Sequence, residues 1–199
     1  MRTGLSSMSD TKHYISANAL LEDSFRLARQ ILDSGFCPTH IVGVWRGGAP
    51  VGIAVQEYLA QCGLETDHIA IRTASYTGID EQDRNVRVYG EGYLVDTLSA
   101  EDRLLIVDDV YDSGRSIAAL LQVLRAKCRR NFPEDARIAT VYYKPLRNTT
   151  DLTPDYYVHE SDAWLVFPHE ICGLTAQELA AKGLPADLLP APVGIAPAS

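Results

Sequence analysis

The chain has 199 residues, of which 46% are hydrophobic and 22% charged, values typical of one globular domain with short terminal extras. Eighteen Lys and Arg against 26 Asp and Glu give a net charge of −8, which argues against a general nucleic-acid binder, because such a protein needs a basic surface. No apolar run approaches the roughly 20 residues of a membrane span. The four cysteines form no CxxC pair, so no structural zinc site is expected and a reduced, cytoplasmic setting is favoured.

Apolar strands and amphipathic helices alternate along the chain. A flexible leader (1–12), a single domain (13–184) and a tail rich in proline and alanine (185–199) are predicted. Ser16 and Gly35 are suited to begin and end the first helix. In chain order, the predicted elements are a helix over 17–32, a strand over 40–45, a helix over 50–63, strands over 67–72 and 104–107, a helix over 117–128, and strands over 137–143 and 156–159.

This alternation predicts an α/β fold with a mostly parallel sheet flanked by helices on both faces. Ligands of such sheets bind beyond the carboxyl ends of the strands. The segments that start at Arg46, Asp108 and Lys144 are therefore the first candidates for a functional site. A polar stretch over 73–92 is a further candidate, because loops this long within a compact domain are usually functional or disordered.

The strongest signal is LLIVDDVYDSGRS, residues 104–116, in which a buried strand leads to Asp108, Asp109 and Asp112 and then to a helix. Backbone N–H groups at such a helix start can bind a phosphate. Two adjacent carboxylates can accept hydrogen bonds from vicinal hydroxyls and help to hold Mg²⁺ through its waters. The pattern therefore predicts a site for a ribose 5-phosphate. Receiver domains also carry an acid pair after an apolar strand, but there the pair lies near the chain start and a later strand supplies a phosphoacceptor aspartate.

These residues resemble the phosphoribosyl-pyrophosphate (PRPP) signature of the type I phosphoribosyltransferases. The resemblance implies that Asp108 and Asp109 hold the ribose hydroxyls and the metal, and that Asp112 contacts PRPP and moves or balances a proton on the base during catalysis. It also implies that the loop after the acid pair binds the 5-phosphate. The residues of that loop are Ser113, Gly114, Arg115 and Ser116.

Two other segments resemble PRPP-binding parts of the same family. Arg46 and Gly47 follow the first buried strand, where glycine lets the backbone approach a ligand and arginine can bridge phosphate oxygens, as in the family's pyrophosphate loop. The polar stretch 73–92 is similar to its flexible catalytic lid. In that lid Ser75 and Tyr76 are the signature pair, and either Arg84 or Arg87 is expected to reach the pyrophosphate.

A hood over 144–172 is similar to the base pocket of the bacterial and archaeal xanthine/guanine/hypoxanthine phosphoribosyltransferases. The resemblance implies that Lys144 meets the purine 6-oxygen, that Trp164 covers the ring and that the backbone of Leu165 touches the base. Relatives tend to place an aromatic residue and an aspartate where this chain has His169 and Glu170.

The resemblance covers about 40–172 and implies Mg²⁺-dependent transfer of the phosphoribosyl group from PRPP to hypoxanthine, guanine or xanthine. The products would be a nucleoside 5′-monophosphate and pyrophosphate. A homodimer or homotetramer with no nucleic-acid or membrane partner is expected. Two alternatives stay open: the same transfer to another base such as adenine or orotate, and a non-catalytic regulator that senses PRPP or a purine on the same fold.

Overall fold

The computed structural model describes residues 12–75 and 86–190, and no helix in these two ranges is long and apolar enough to cross a membrane. The elements in chain order are β1 (Lys12–Tyr14), α1 (Ala17–Asp33), β2 (His40–Trp45), α2 (Gly48–Gln61), β3 (Asp67–Ser75), β4 (Val86–Tyr89), α3 (Gly92–Thr97), β5 (Arg103–Tyr111), α4 (Arg115–Cys128), β6 (Asp135–Tyr143), β7 (Tyr156–Glu160), β8 (Trp164–Val166) and α5 (Ala176–Ala181). Short 3₁₀ turns lie at Arg129–Asn131, Pro145–Arg147 and Ala186–Leu188.

The main sheet has six strands in the order β4-β3-β2-β5-β6-β7, and every pair is parallel except β3 with β4. Alternate residues of the central strand β5 enter two separate cores. Leu105 packs with Leu27 of α1 and Leu59 of α2, whereas Leu104 packs on the other face with Leu120 of α4. The predicted α/β fold, a mostly parallel sheet with helices on both faces, is therefore confirmed.

The strands β2 and β5 create the crevice that positions the site. They are neighbours in the sheet, but the helices that follow them, α2 and α4, lie on opposite faces. Their pairing runs from His40 opposite Leu104 to Gly43 opposite Val107. Ligands of open α/β sheets bind where the connections diverge in this way. The residues just beyond Gly43 and Val107 therefore face that crevice.

A second, two-stranded sheet includes part of the predicted hood (144–172), and we call it the hood sheet. β1 pairs in parallel with β8, with Lys12 opposite Trp164 and Tyr14 opposite Val166. The sequence patterns missed this sheet, because strands of three residues are too short to show a hydrophobic periodicity. Lys12 also falls in the segment predicted as a flexible leader. The helix α5 was also missed, although Thr175 and Glu178 form a capping box at its start.

The loop predicted over 73–92 is shorter than expected. β3 continues to Ser75 and β4 begins at Val86, and the two strands pair with Ala74 opposite Arg87. The two ends of the stretch are therefore arms of an antiparallel hairpin, which their β-branched residues favour. The predicted lid residues Tyr76 and Arg84 lie outside the described residues.

An ion pair joins the hood to α5 and should give stability a pH dependence. Lys12 Nζ lies 2.5 Å from Glu178 Oε1, and this contact, with hydrogen bonds from Thr175, lowers the pKa of Glu178 from 4.5 to about 2. Because the folded-state pKa is depressed, this stabilisation is complete above about pH 4.5 and is lost as pH falls towards about 2. Glu178→Gln should therefore lower Tm at neutral pH, with a deficit that shrinks in acid. Thermal melts of the parent and the variant across that pH range measure the difference in Tm, with Glu101→Gln at an exposed position as control. A difference in Tm that does not change with pH would contradict this prediction.

Candidate active site

The acid pair lies on the floor of the crevice, inside β5 and not after it as predicted, because β5 continues to Tyr111. Asp109 is 6% exposed, and its N–H donates to Asp108 Oδ1 at 3.0 Å. Burial, and secondly the charge of Asp109, raise the pKa of Asp108 well above 3.8, although a hydrogen bond from the Gly48 backbone opposes this. Two carboxylates held together at low exposure favour a ligand that brings positive charge or hydrogen-bond donors.

The turn Arg46-Gly47-Gly48 forms one wall against this pair. A Cβ on Gly47 would lie 2.1 Å from Asp109 Oδ2, and one on Gly48 would lie 2.3 Å from the Val107 carbonyl oxygen. Any side chain at either position would displace the carboxylates or the strand, so the approach of the turn requires glycine. The Trp45–Arg46 peptide bond is cis, and Arg46 is exposed at the rim.

The start of α4 forms a second wall. Gly114 has a φ of 76°, and a Cβ there would lie 2.4 Å from the Tyr111 hydroxyl oxygen. Among the described residues, no side chain caps this helix, so the N–H groups of its first turn remain available to an anion. Arg115, predicted to bind PRPP, donates from its Nε to Thr149 Oγ1 at 3.2 Å.

Three adjoining clefts make up the site, and Val110 lines all of them. The helix cleft, of about 80 Å³, is lined by Asp108, Asp112, Ser113, Gly114 and Ser116, among others. The central cleft, of about 240 Å³, is lined by Arg46, Gly47, Thr73, Asp108, Asp109, Ser116, His169 and Glu170, among others. The hood cleft, of about 380 Å³, is lined by Asp112, Lys144, Arg147, Asp162, Trp164, Leu165, Phe167 and Glu170, among others.

The hood cleft brings the three predicted base-binding residues together. Lys144 follows the end of β6 and is only 7% exposed, Leu165 is 6% exposed, and Trp164 presents a ring that is half open to solvent. The Lys144 Nζ lies 3.6 Å from Asp112 Oδ2. The expected lysine, aromatic ring and aspartate therefore share one cleft.

Arg147 is a site residue that the sequence analysis missed. Its Nε lies 2.6 Å from Asp112 Oδ1, so Asp112 sits between two cations. Pro145 begins a 3₁₀ turn, closed by a hydrogen bond from the Arg147 N–H to the Lys144 carbonyl, and this turn carries Arg147 back over the end of the strand. Proline directly after a strand-end lysine was the signal that could have indicated it.

His169 is a second residue whose position the sequence did not predict. Its Nε2 lies 3.1 Å from Asp109 Oδ2, and its ring stacks on Phe167 with a centroid distance of 5.7 Å and an interplanar angle of 13°. Glu170 lines the same central cleft, and its Oε2 accepts a hydrogen bond from the Phe167 N–H at 3.1 Å.

The donors in the central cleft suit a magnesium ion that arrives with its substrate. In the ranges that the structure describes, no group of three His, Cys, Asp or Glu residues is arranged to hold a metal. Mg²⁺ usually takes one or two carboxylates from a protein and completes its shell with waters and substrate phosphates. Asp108 and Asp109 supply that number of carboxylates, so they fit a phosphate-carried Mg²⁺ better than a resident ion in a protein cage.

Comparisons with known proteins agree with this geometry. A family model for the phosphoribosyl transferase domain matches residues 11–172, whereas a search of curated proteins found no match. A purine phosphoribosyltransferase from Pyrococcus horikoshii has a TM-score of 0.62 and 25% identity over 82% of this chain and 97% of its own. Xanthine-guanine-hypoxanthine phosphoribosyltransferase from Helicobacter pylori has a TM-score of 0.63 and 21% identity over 79% of this chain and 92% of its own, a likeness of fold. With a strand, acid pair and helix start that match the type I signature, the chain belongs to the phosphoribosyl transferase domain family.

Proposed function

We propose that the protein transfers the 5-phosphoribosyl group of PRPP to a 6-oxopurine base, hypoxanthine, guanine or xanthine, with release of pyrophosphate. The observation that carries this proposal is the meeting of three clefts around Val110. A helix start suited to a phosphate, an acid pair suited to a diol and a hood with a lysine and an indole ring then line adjoining clefts.

The helix cleft and the central cleft together fit the ribose 5-phosphate half of PRPP. The free N–H groups of the first turn of α4 bind the 5-phosphate, with hydroxyl groups from Ser113 and Ser116 beside them. Asp108 and Asp109 accept hydrogen bonds from the two ribose hydroxyls. These bonds relieve the repulsion between the carboxylates, because each hydroxyl donates into the shared negative charge.

The Arg46 turn receives the pyrophosphate. Displacement of pyrophosphate at C1 of the sugar leaves positive charge on the ring and negative charge on the leaving group. Arg46 and the backbone amides of the turn lie on the side of the central cleft where that negative charge grows, so they stabilise the transition state. Mg²⁺, held by Asp108 and Asp109 when bound, supplies further neutralisation of the phosphates.

The hood cleft receives the base. Lys144 donates to the 6-oxygen, Trp164 covers one face of the ring, and the Leu165 backbone borders it. Asp112 accepts or balances the proton of the imidazole nitrogen that is lost when the base becomes a nucleotide. Because Asp112 contacts Lys144 and Arg147 without a base, base entry exchanges the Lys144 contact for one to the purine, while the Arg147 contact to the carboxylate is retained.

A pyrophosphate-release assay with PRPP, Mg²⁺ and a panel of bases tests the proposal. Turnover with at least one of hypoxanthine, guanine or xanthine supports it. Turnover with adenine or orotate alone would assign the same reaction to another base. PRPP binding without turnover on any base would instead favour a PRPP-sensing regulator.

The acid pair gives a second test that needs no turnover. A ligand that binds only the folded state raises the free energy of unfolding, by about 2.7 kcal/mol when its concentration is 100 times its Kd. This stabilisation appears as a rise in Tm. PRPP with Mg²⁺ should therefore raise the Tm of the parent protein, and the double variant Asp108→Ala/Asp109→Ala should lose that rise. Both proteins are also melted without ligand, because the variant removes a buried like-charge contact together with the contact between Asp109 and His169. An unchanged Tm of the parent protein in saturating PRPP and Mg²⁺ would contradict the proposal.

A further inference from the structure

The C-terminal clasp, defined here as Thr175–Lys182, lies beyond residue 172, where the family match ends. It consists of α5 with its two caps. Thr175 and Glu178 form the capping box, and Leu179 is buried at 5% exposure. The Leu184 N–H then donates to the Leu179 carbonyl at 3.1 Å, which closes the end of the helix. This segment is therefore a folded attachment to the domain with a defined beginning and end.

Lys182 joins the clasp to the turn Phe167–Glu170. Its ammonium group donates to the carbonyl oxygens of both Phe167 and Glu170. The same turn is closed by a hydrogen bond from the Glu170 N–H to the Phe167 carbonyl at 3.0 Å and by one from the Phe167 N–H to Glu170 Oε2 at 3.1 Å. One half-buried cation thus bridges the two ends of a four-residue turn. Burial lowers the pKa of Lys182, although the charge of Glu170 opposes this.

The turn presents His169 to the acid pair. With its backbone fixed at both ends and its ring stacked on Phe167, His169 reaches Asp109 Oδ2 at 3.1 Å. Gly47 lies against the same carboxylate, so near that a Cβ there would overlap it. The Asp109 carboxylate is therefore held between the glycine turn and the imidazole, and few orientations remain open to it.

A separate contact ties the clasp to the base side of the hood. Glu178 pairs with Lys12 of β1, and the Lys12 ammonium lies 5.3 Å from the centroid of the Trp164 ring. Since β1 pairs with β8, the clasp is linked to β8 through β1. This contact keeps α5 in place while Lys182 reaches the turn.

We propose that the C-terminal clasp is a positioning element of the PRPP site. Lys182 fixes the turn Phe167–Glu170, the turn fixes His169, and His169 orients the Asp109 carboxylate to receive the ribose hydroxyls. This inference rests on the proposed function, which makes Asp109 a ribose ligand. Lys182 and His169 are positioning residues, because each acts through Asp109 and not on the reacting atoms.

Lys182→Met should raise the KM for PRPP about tenfold, the lower end of what supporting contacts around a binding group contribute, while kcat changes less than about threefold. A merely unstable variant would lose kcat with the active fraction and keep its KM. In an His169→Ala background, Lys182→Met should add less than about a twofold effect, because residues that act along one route are not additive. Lys182→Arg, which keeps a cation with several donors, should restore most of the affinity. The control is Lys127→Met on α4, which removes an ion pair with Glu91 away from the site.

Hydrogen exchange of residues 164–172 gives a readout that does not need turnover. Exchange in this segment should accelerate in Lys182→Met and stay at the parent rate in Lys127→Met. Additive KM effects of Lys182→Met and His169→Ala, or an unchanged KM and unchanged exchange in Lys182→Met, would overturn the inference while the parent remains an active enzyme. A parent that neither binds nor turns over PRPP would instead overturn the proposed function, so the two failures can be told apart.

Discussion

Asp112→Asn is expected to lower kcat by about 10²- to 10⁴-fold, the usual contribution of a positioned acid or base. The amide is close in shape to the carboxylate but cannot hold the proton that the base exchanges. It also leaves Lys144 and Arg147 without the negative charge that lies between them in the structure. The KM for PRPP should change much less, because the 5-phosphate contacts come chiefly from the backbone of α4.

Steady-state kinetics with saturating PRPP measure the effect on kcat. Thermal melts with and without PRPP measure the effect on PRPP binding separately. Asp96→Asn on α3 is a matched control, since it makes the same substitution at an exposed position. Turnover of Asp112→Asn within about threefold of the parent would remove Asp112 from proton handling, since even modest acid or base catalysis contributes more.

Adenine is expected to be a poorer substrate than the best 6-oxopurine by about 10⁴-fold in kcat/KM. The Lys144 ammonium has three donors and no acceptor, and it is only 7% exposed. A 6-oxopurine offers it an acceptor, whereas adenine offers an amino group. With adenine, the ammonium and the amino group face each other as two donors in a partly dry cleft, so no hydrogen bond forms between them.

Lys144→Ala should therefore lose most activity on the oxopurines and narrow the gap to adenine. Trp164→Ala is the matched comparison in the same cleft, because an indole ring stacks on every purine alike. It should weaken all bases more evenly. A parent that prefers adenine would show that Lys144 does not meet the 6-position, even if the PRPP site is correct.

The alternation of apolar strands and amphipathic helices was enough to predict five of the six strands of the main sheet and its two helical faces, whereas β4 fell in the predicted loop. Leu104 and Leu105 illustrate why, since consecutive residues of one strand must each enter a separate core. The hood sheet could not be predicted in this way. Each of its strands has three residues, and their pairing depends on chain segments that meet only after the main sheet has formed.

Within the site, the signature 104–116 and the glycine turn could be predicted because backbone geometry restricts which residues can stand there. Gly47 is the clearest case, since the Asp109 carboxylate occupies the space of any side chain. The contacts of His169 and Lys182 could not be predicted. They depend on where a turn and a short helix settle in space, and a histidine or lysine in such a segment is equally compatible with a solvent-facing side chain.

The hood sheet pairs segments that lie far apart in the sequence, and we expect this separation to determine when the sheet forms during folding. Lys12 and Glu178, which meet at its edge, are 166 positions apart, whereas β5 and β6 are joined by a single helix. Contacts between distant segments form late, because the entropy of loop closure is lost before many bonds are gained. We therefore expect the main sheet to assemble first and the hood sheet to form last. By the same balance, we expect the hood sheet to open at a lower free energy than the main sheet.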